Sequence, residues 1–273
     1  LIYGNSNKMF NTAGTLDAST ASNTVEYNKA GSQANIVGQT YHHLIFSGSG
    51  TKTLLANTTV NGTLTVRVGC TLALGTLTLG SPTSIVLENT GGGNGSKITG
   101  TAGSALLTLG GNITVNYLGG GTITTGATLS CPIALTNVTT RTFTVDDDGS
   151  TTIDLILSGV ISTSGAITKL GAGMLTLSGA NTFSGGVNLN TGGLNIIHAT
   201  GLGDVTGTFT IAGGTTIDAT TATTRTANNP IALNGDFTFT GTQNLDFGTG
   251  AVTMNASRII TCSVRISIYP CIR

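Results

Sequence analysis

Apolar residues recur at every second position through most of this chain. Leu175 and Leu177 show the pattern, as do Leu194 and Ile196. A period of two is typical of a β-strand with one buried face. The positions expected to be buried in this stretch are Leu175, Leu177, Leu189, Leu194 and Ile196. The intervening Thr176 and Asn195 are expected to point outward into solvent.

Small turn-forming residues follow each alternating segment. Ser178-Gly179 and the run from Asn190 to Gly193 are examples, and glycine permits the sharp bends that such short strands require. A unit of strand, bend, strand, bend and strand cannot close a core alone and must stack on copies of itself. The pattern therefore predicts an all-β solenoid, a right-handed parallel β-helix, with under about 5% helix and strands of roughly 3–6 residues.

One stretch of the chain resembles a known family. Residues 165–202 contain Lys169-Leu-Gly171-Ala-Gly173-Met-Leu175-Thr-Leu177-Ser-Gly179-Ala-Asn181, followed by Thr-Phe183-Ser-Gly185-Gly186 and a later Gly193-Leu194 step. This is similar to the autotransporter-associated (passenger-associated transport) β-strand repeat of bacterial surface proteins. The resemblance implies a secreted or surface-displayed, right-handed parallel β-helix without enzymatic activity.

Two further segments are repeat-like. Residues 25–66 and 229–261 carry the same order of strand, glycine turn and strand, and both resemble repeats of giant bacterial surface proteins. We therefore expect a single repeat region over residues 1–261. Residues 262–273 lack glycine and depart from the pattern, which predicts a divergent tail or a truncated end. We expect the resemblance to cover the passenger type only, without the long strands of an outer-membrane barrel.

The composition argues against several classes of function. Charged residues make up 8% of the chain, and 11 basic residues balance 11 acidic ones. A low charge suits a solenoid, because like charges stacked about 4.8 Å apart would repel. The basic residues are scattered singly, so the sequence offers no basic stripe for nucleic acid and no polybasic run for lipid. No apolar run approaches the roughly 18 residues of a membrane helix.

The four cysteines do not form a recognisable metal or redox motif. Cys70, Cys131, Cys262 and Cys271 are widely spaced, without a CxxC pair or a zinc-like cluster with histidine. Free thiols at small-residue positions are the simplest interpretation. A bridge between Cys262 and Cys271 is the alternative, so their disulfide state stays open.

The chain has one cluster of carboxylates, Asp146, Asp147 and Asp148 before Gly149. A calcium loop needs oxygens at alternate positions and a distant Glu, and that pattern is absent. We expect a solvated turn, with weak cation binding by the three aspartates as the alternative. Arg141 and Asp154 flank the cluster, as in a polysaccharide-cleaving β-helix, but the sequence predicts no catalytic residue, no cofactor-binding residue and no firm metal ligand.

Histidines and threonines complete the candidate chemistry. His42, His43 and His198 have no nucleophile and orienting acid placed beside them in a recognisable motif. Thr-x-Thr pairs such as Thr63 with Thr65 should present both hydroxyls outward. Stacked in register they would form an array able to bind ice or carbohydrate, yet the pairs do not recur at a constant interval.

The sequence favours a structural or adhesive passenger or stalk, extracellular or on the cell surface. Expected partners are glycans or the surfaces of host or neighbouring cells, together with self-association through the solenoid ends. Neither nucleic-acid binding, nor membrane insertion, nor a cofactor is expected. A carbohydrate-active β-helix enzyme and an ice-binding solenoid are the alternatives.

Overall fold

The structure is a computed structural model of the 273-residue chain. It describes residues 2–3, 18–91, 95–121, 125–136, 140–147, 149, 153–224, 227–262 and 266–267. The described residues form two compact units. The first unit contains the described residues up to 134, with 149, 153 and 154. The second contains 135–136, 140–147 and the described residues from 155 onward.

The strands of the first unit are short and separated by bends. They are β1 (Ile2–Tyr3), β2 (Thr24–Tyr27), β3 (Gln33–Ile36), β4 (Thr40–Tyr41), β5 (His43–Phe46), β6 (Gly50–Leu54), β7 (Thr58–Val60), β8 (Thr63–Val66), β9 (Cys70–Ala73), β10 (Thr78–Gly80), β11 (Ser84–Asn89), β12 (Lys97–Thr99), β13 (Leu106–Leu109), β14 (Asn112–Tyr117) and β15 (Ala127–Leu129). The division between the units falls within β16 (Ile133–Leu135).

Three parallel sheets form the sides of the first unit. The first sheet has the order β1-β2-β5-β8-β11-β14, the second β3-β6-β9-β12-β15, and the third β4-β7-β10-β13. The chain visits the three sheets in turn and then begins the next coil. Leu44 lies opposite Leu64, which lies opposite Ile85. One coil therefore takes 64 − 44 = 20 residues and the next 85 − 64 = 21.

The second unit has two long parallel sheets and a shorter third one. Its strands are β17 (Arg141–Val145), β18 (Leu155–Leu157), β19 (Ile161–Ser162), β20 (Ile167–Leu170), β21 (Met174–Leu177), β22 (Val187–Leu189), β23 (Gly193–Ile196), β24 (Phe209–Ile211), β25 (Thr215–Asp218), β26 (Thr223–Thr224), β27 (Ile231–Leu233), β28 (Phe237–Phe239), β29 (Leu245–Asp246), β30 (Val252–Met254), β31 (Ile260–Cys262) and β32 (Ile266–Ser267). The first sheet has the order β17-β20-β22-β24-β27-β30, the second β18-β21-β23-β25-β28-β31, and a third β26-β29-β32.

In-register apolar ladders fill the interior of each unit. In the second unit Leu175 lies opposite Leu194, which lies opposite Ile217. All three are 0% exposed, as the alternation predicts. The remaining predicted core residues, Leu177, Leu189 and Ile196, are also fully buried. Each ladder removes one apolar side chain per coil from water, which is the main stabilising contribution in such a stack.

The predicted fold class is confirmed: within the described residues the strands pair in parallel, as in β5 with β8 and β21 with β23, and these residues contain no α-helix. Within that part of the chain, no helix could span a membrane. The predicted single repeat region over residues 1–261 stays a prediction.

Candidate functional site

The outer face of the first sheet in the second unit carries one continuous line of small side chains, here called the outer ladder. Register places its members one above another, one per coil. They are Thr142, Thr168, Asn188, Thr210, Ala232 and Thr253. Each is half-buried or exposed. At about 4.8 Å per strand the six positions extend over about 24 Å, with hydroxyls and one amide facing solvent.

The outer face of the second sheet in the same unit is different. Thr176 lies opposite Asn195, which lies opposite Asp218. Thr176 and Asn195 lie on the outer side of their strands, as the alternation predicts. They are nevertheless only 1% and 0% exposed, so the expectation that these positions face water is wrong. Burial also raises the pKa of Asp218, an effect that the backbone N–H of Ala219 partly offsets.

The side-chain amide of Asn195 explains how these polar groups tolerate burial. Its Nδ2 donates to the hydroxyls of Thr176 and Thr220, at 3.3 Å each. Its Oδ1 accepts the backbone N–H of Thr220 at 3.3 Å. One side chain therefore links three consecutive coils. A buried polar group that keeps its hydrogen bonds avoids most of the penalty of leaving water.

Lys52 in the first unit lies inside the coil and is 0% exposed. It is on β6, close to the corner where the chain passes from the first sheet to the second. Its Nζ donates to the carbonyl oxygens of Lys29, at 2.5 Å, and Gly31, at 3.0 Å, in the same corner of the preceding coil. Burial lowers the pKa of Lys52; interaction with Cys70 opposes this shift and the charge of Lys29 adds to it.

Lys169 in the second unit lies at the equivalent corner, again fully buried. It approaches from the other side, because it belongs to β20 of the first sheet. Its Nζ donates to the carbonyl oxygens of Leu170 at 2.9 Å, Gly171 at 2.8 Å and Thr191 at 3.3 Å. Thr191 belongs to the next coil, so this ammonium also joins two coils.

Glycine makes both corners possible. A Cβ on Gly48 would lie 2.5 Å from the carbonyl oxygen of Lys29, which is a ligand of Lys52. A Cβ on Gly192 would lie 2.2 Å from the carbonyl oxygen of Gly171, which is a ligand of Lys169. Both glycines have a positive φ, of 84° and 72°. Each corner thus combines a buried ammonium, a carbonyl oxygen and a close glycine of the next coil.

His42 and His43 lie where the first unit passes from the third sheet to the first. Their ring centroids are 4.4 Å apart in an edge-to-face arrangement. The Nδ1 of His43 accepts the backbone N–H of Thr63 at 3.0 Å, and the ring packs against Gly62. Burial, and then the charge of His42, lowers the pKa of His43. The pair therefore has a structural contact that the sequence did not indicate.

The structure describes only part of the predicted cation turn. Asp146 and Asp147 follow β17 and are exposed, whereas Asp148 lies outside the described residues. Over the described part of the chain, no group of three or more His, Cys, Asp or Glu side chains could hold a metal ion. Cation binding by this turn stays a prediction.

The cysteines that the structure describes have free thiols. Cys70 and Cys131 are buried and Cys262 is exposed, whereas Cys271 lies outside the described residues. Burial raises the pKa of the Cys131 thiol to about 12, which keeps it protonated and unreactive at neutral pH.

Sequence reasoning missed the two lysine corners, although a signal was present. Lys169 lies two residues after Ile167, and Lys52 two residues before Leu54. Both lysines therefore fall on the buried side of an alternating strand. A lysine at an inward position next to glycine-containing turns indicates that carbonyl groups must be available inside the corner.

Comparison with known proteins gives a family match for the coil that contains Lys169. Residues 167–196 match the passenger-associated-transport-repeat family. Over 169 residues the chain is 32% identical to the "Adhesin BmaC autotransporter" of Brucella suis biovar 1 (strain 1330). That alignment covers 60% of this chain but 4% of the adhesin. No solved structure matches the chain.

Proposed function

Because the chain carries an autotransporter-associated repeat over residues 167–196, we propose that it is a structural and adhesive segment of the passenger of a bacterial surface protein. The adhesin to which it is similar supports this assignment. In the full protein this segment is extracellular or displayed on the cell surface, and it has no enzymatic activity of its own.

The outer ladder is the observation that carries the proposal. Its hydroxyl and amide groups can donate to and accept from the hydroxyls of a sugar. An extended solenoid face binds by adding many weak contacts, so no single residue is expected to dominate. The proposed partners are glycans on the surface of a host or a neighbouring cell. The uncharged ladder gives no electrostatic attraction to nucleic acid or to anionic lipid.

A pair of double variants tests this role. Thr168→Val with Thr210→Val removes two hydroxyls from the outer ladder while keeping β-branched shape. Thr71→Val with Thr99→Val makes the same change on the second sheet of the first unit, where both residues are half-buried. On a glycan array and on cells, the first variant should bind several-fold more weakly and the second should bind like the unchanged chain. Equal binding by all three proteins would contradict the proposal.

A separate assay addresses catalysis. The chain is incubated with a panel of polysaccharides, and released reducing or unsaturated ends are measured. We expect none above background. Turnover that disappears in Asp147→Ala would overturn the non-enzymatic proposal and favour a carbohydrate-active enzyme.

Self-association is a further part of the proposal. In the described residues β30 and β31 are last in their sheets, and open strand edges promote association. Met254, the last residue of β30, is 36% exposed, and Ile259, just before β31, is 69% exposed. Light scattering over a concentration series should show oligomers that Ile259→Lys reduces. A monomer at every concentration would reject this part.

A further inference from the structure

The buried lysines show that one corner of the coil holds a positive charge. An ammonium group removed from water is strongly unfavourable unless its hydrogen bonds are replaced. Lys169 replaces them with three backbone carbonyl oxygens at 2.8–3.3 Å. Lys52 has two at 2.5 and 3.0 Å. The oxygens come from the backbone, so the corner itself supplies the ligands.

The two lysines reach this corner along different paths. Lys52 enters from the second sheet and contacts the corner of the preceding coil, whereas Lys169 enters from the first sheet and contacts its own corner and the next. The side-chain stem therefore differs between the two sites, while the ammonium group and its carbonyl ligands are shared. Only the ammonium group and its carbonyl ligands are common to the two sites. The corner therefore requires these groups and not one particular path of the lysine stem.

We propose that the corner between the first and second sheets is a carbonyl-lined cation site for a primary ammonium, which Lys52 and Lys169 fill from within the chain. A primary ammonium has three N–H donors, and backbone carbonyl oxygens such as those of Leu170, Gly171 and Thr191 can accept them. Rings of backbone carbonyls are likewise the ligands that replace the hydration shell of monovalent cations in channels. This site is independent of the adhesive role proposed above.

Chemical rescue tests the site directly. Lys52→Ala and Lys169→Ala remove three methylenes and the ammonium, and n-propylammonium restores those atoms without a covalent link. We expect each variant to melt at a lower temperature than the unchanged chain. Propylammonium chloride should then raise its Tm by at least about 2–4 °C, a readily measured shift for a protein of this size.

Three controls separate ammonium binding from general effects. Sodium chloride at equal concentration tests ionic strength, and 1-propanol tests apolar filling of the cavity without charge. Lys97→Ala is the matched variant, because Lys97 faces outward and is half-buried on β12. Selective rescue of the two corner variants supports the proposal. Equal shifts in Lys97→Ala, or equal rescue by 1-propanol, would overturn it.

A measurement on the unchanged chain covers the case in which the alanine variants do not fold. Acetic anhydride labelling followed by mass spectrometry compares the reactivity of individual lysines. Lys52 and Lys169 should be acetylated at least about tenfold more slowly than Lys97, because their amines are enclosed and hydrogen-bonded. Labelling of all three at similar rates would contradict a filled site.

Discussion

The coil at residues 167–196 has two outer faces that follow the same alternation but meet solvent differently. On the first sheet Asn188 is half-buried and makes a single 3.5 Å contact from Nδ2 to the hydroxyl of Thr168. On the second sheet Asn195 is fully buried and is hydrogen-bonded on both sides. The period of two therefore fixes which side of a strand a residue occupies, whereas the neighbouring coils decide whether that side meets water.

The largest loss of stability is expected for a residue of the interior ladder. Leu177→Ala removes a fully buried side chain from the ladder with Leu157 and Ile196. We expect the free energy of unfolding to fall by about 2–5 kcal/mol, from lost apolar burial and the remaining cavity. Chemical denaturation of the variant and the unchanged chain measures this change in the free energy of unfolding. A loss no larger than that of an outer-face variant would contradict the inward assignment.

The two asparagines provide the sharpest contrast between the outer faces. Asn195→Ala leaves the hydroxyl of buried Thr176 without the amide that contacts it and removes the link to Thr220, which should lower stability by about 1–3 kcal/mol. Asn188→Ala, the matched control, should change it by no more than about 0.5 kcal/mol, as is usual for surface positions. Denaturation of both variants side by side gives the answer. Equal effects would show that burial does not distinguish the faces.

His43 extends the comparison to the first unit, because it is an outer-face residue with a structural hydrogen bond. Its pKa is lowered in the folded state, so the unfolded chain takes up a proton at a higher pH than the folded chain. Stability should therefore fall as pH drops below the unfolded value of about 6.5. The protonated ring cannot accept the N–H of Thr63, a loss of about 0.5–1.5 kcal/mol.

The pH dependence of His43 has a direct control. His43→Asn keeps an acceptor in the position of Nδ1 but does not titrate, so the decline in Tm between pH 7 and 5 should become smaller. His42 is the titratable neighbour, while Glu26 on β2 and Arg67 after β8 lie farther along the same face. An unchanged pH profile in His43→Asn would assign the decline to other groups.

Asp218 gives the smallest expected effect. Burial raises its pKa, so the folded state disfavours the charged carboxylate, and stability decreases as pH rises through the unfolded and then the folded pKa. Asp218→Asn removes this charge and places a second side-chain amide opposite Asn195. We expect a gain of at most about 0.5 kcal/mol at pH 7 because the group is half-exposed. The gain should vanish at pH 3, and a gain that persists there would exclude the charge as its cause.

The sequence predicted the fold well because alternation and glycine turns are local properties. Leu175 and Leu194 could be assigned to the core from spacing alone. The burial of Thr176 and Asn195 could not, because it depends on which residues of the adjacent coils lie against them. The carbonyl ligands of Lys52 come from positions 29 and 31, about one coil earlier. Spacing alone does not show that those carbonyls turn inward.

The contact between Lys169 and the carbonyl oxygen of Thr191 has a mechanical consequence. A protein anchored at one end and pulled at the other releases a parallel stack by peeling, one coil at a time. Each coil of about 20 residues adds about 70 Å of extended chain. Tension at this step must separate an ammonium from a carbonyl of the next coil as well as the backbone ladder. The lysine corner would then raise the force that is needed to detach the next coil when the protein is under shear.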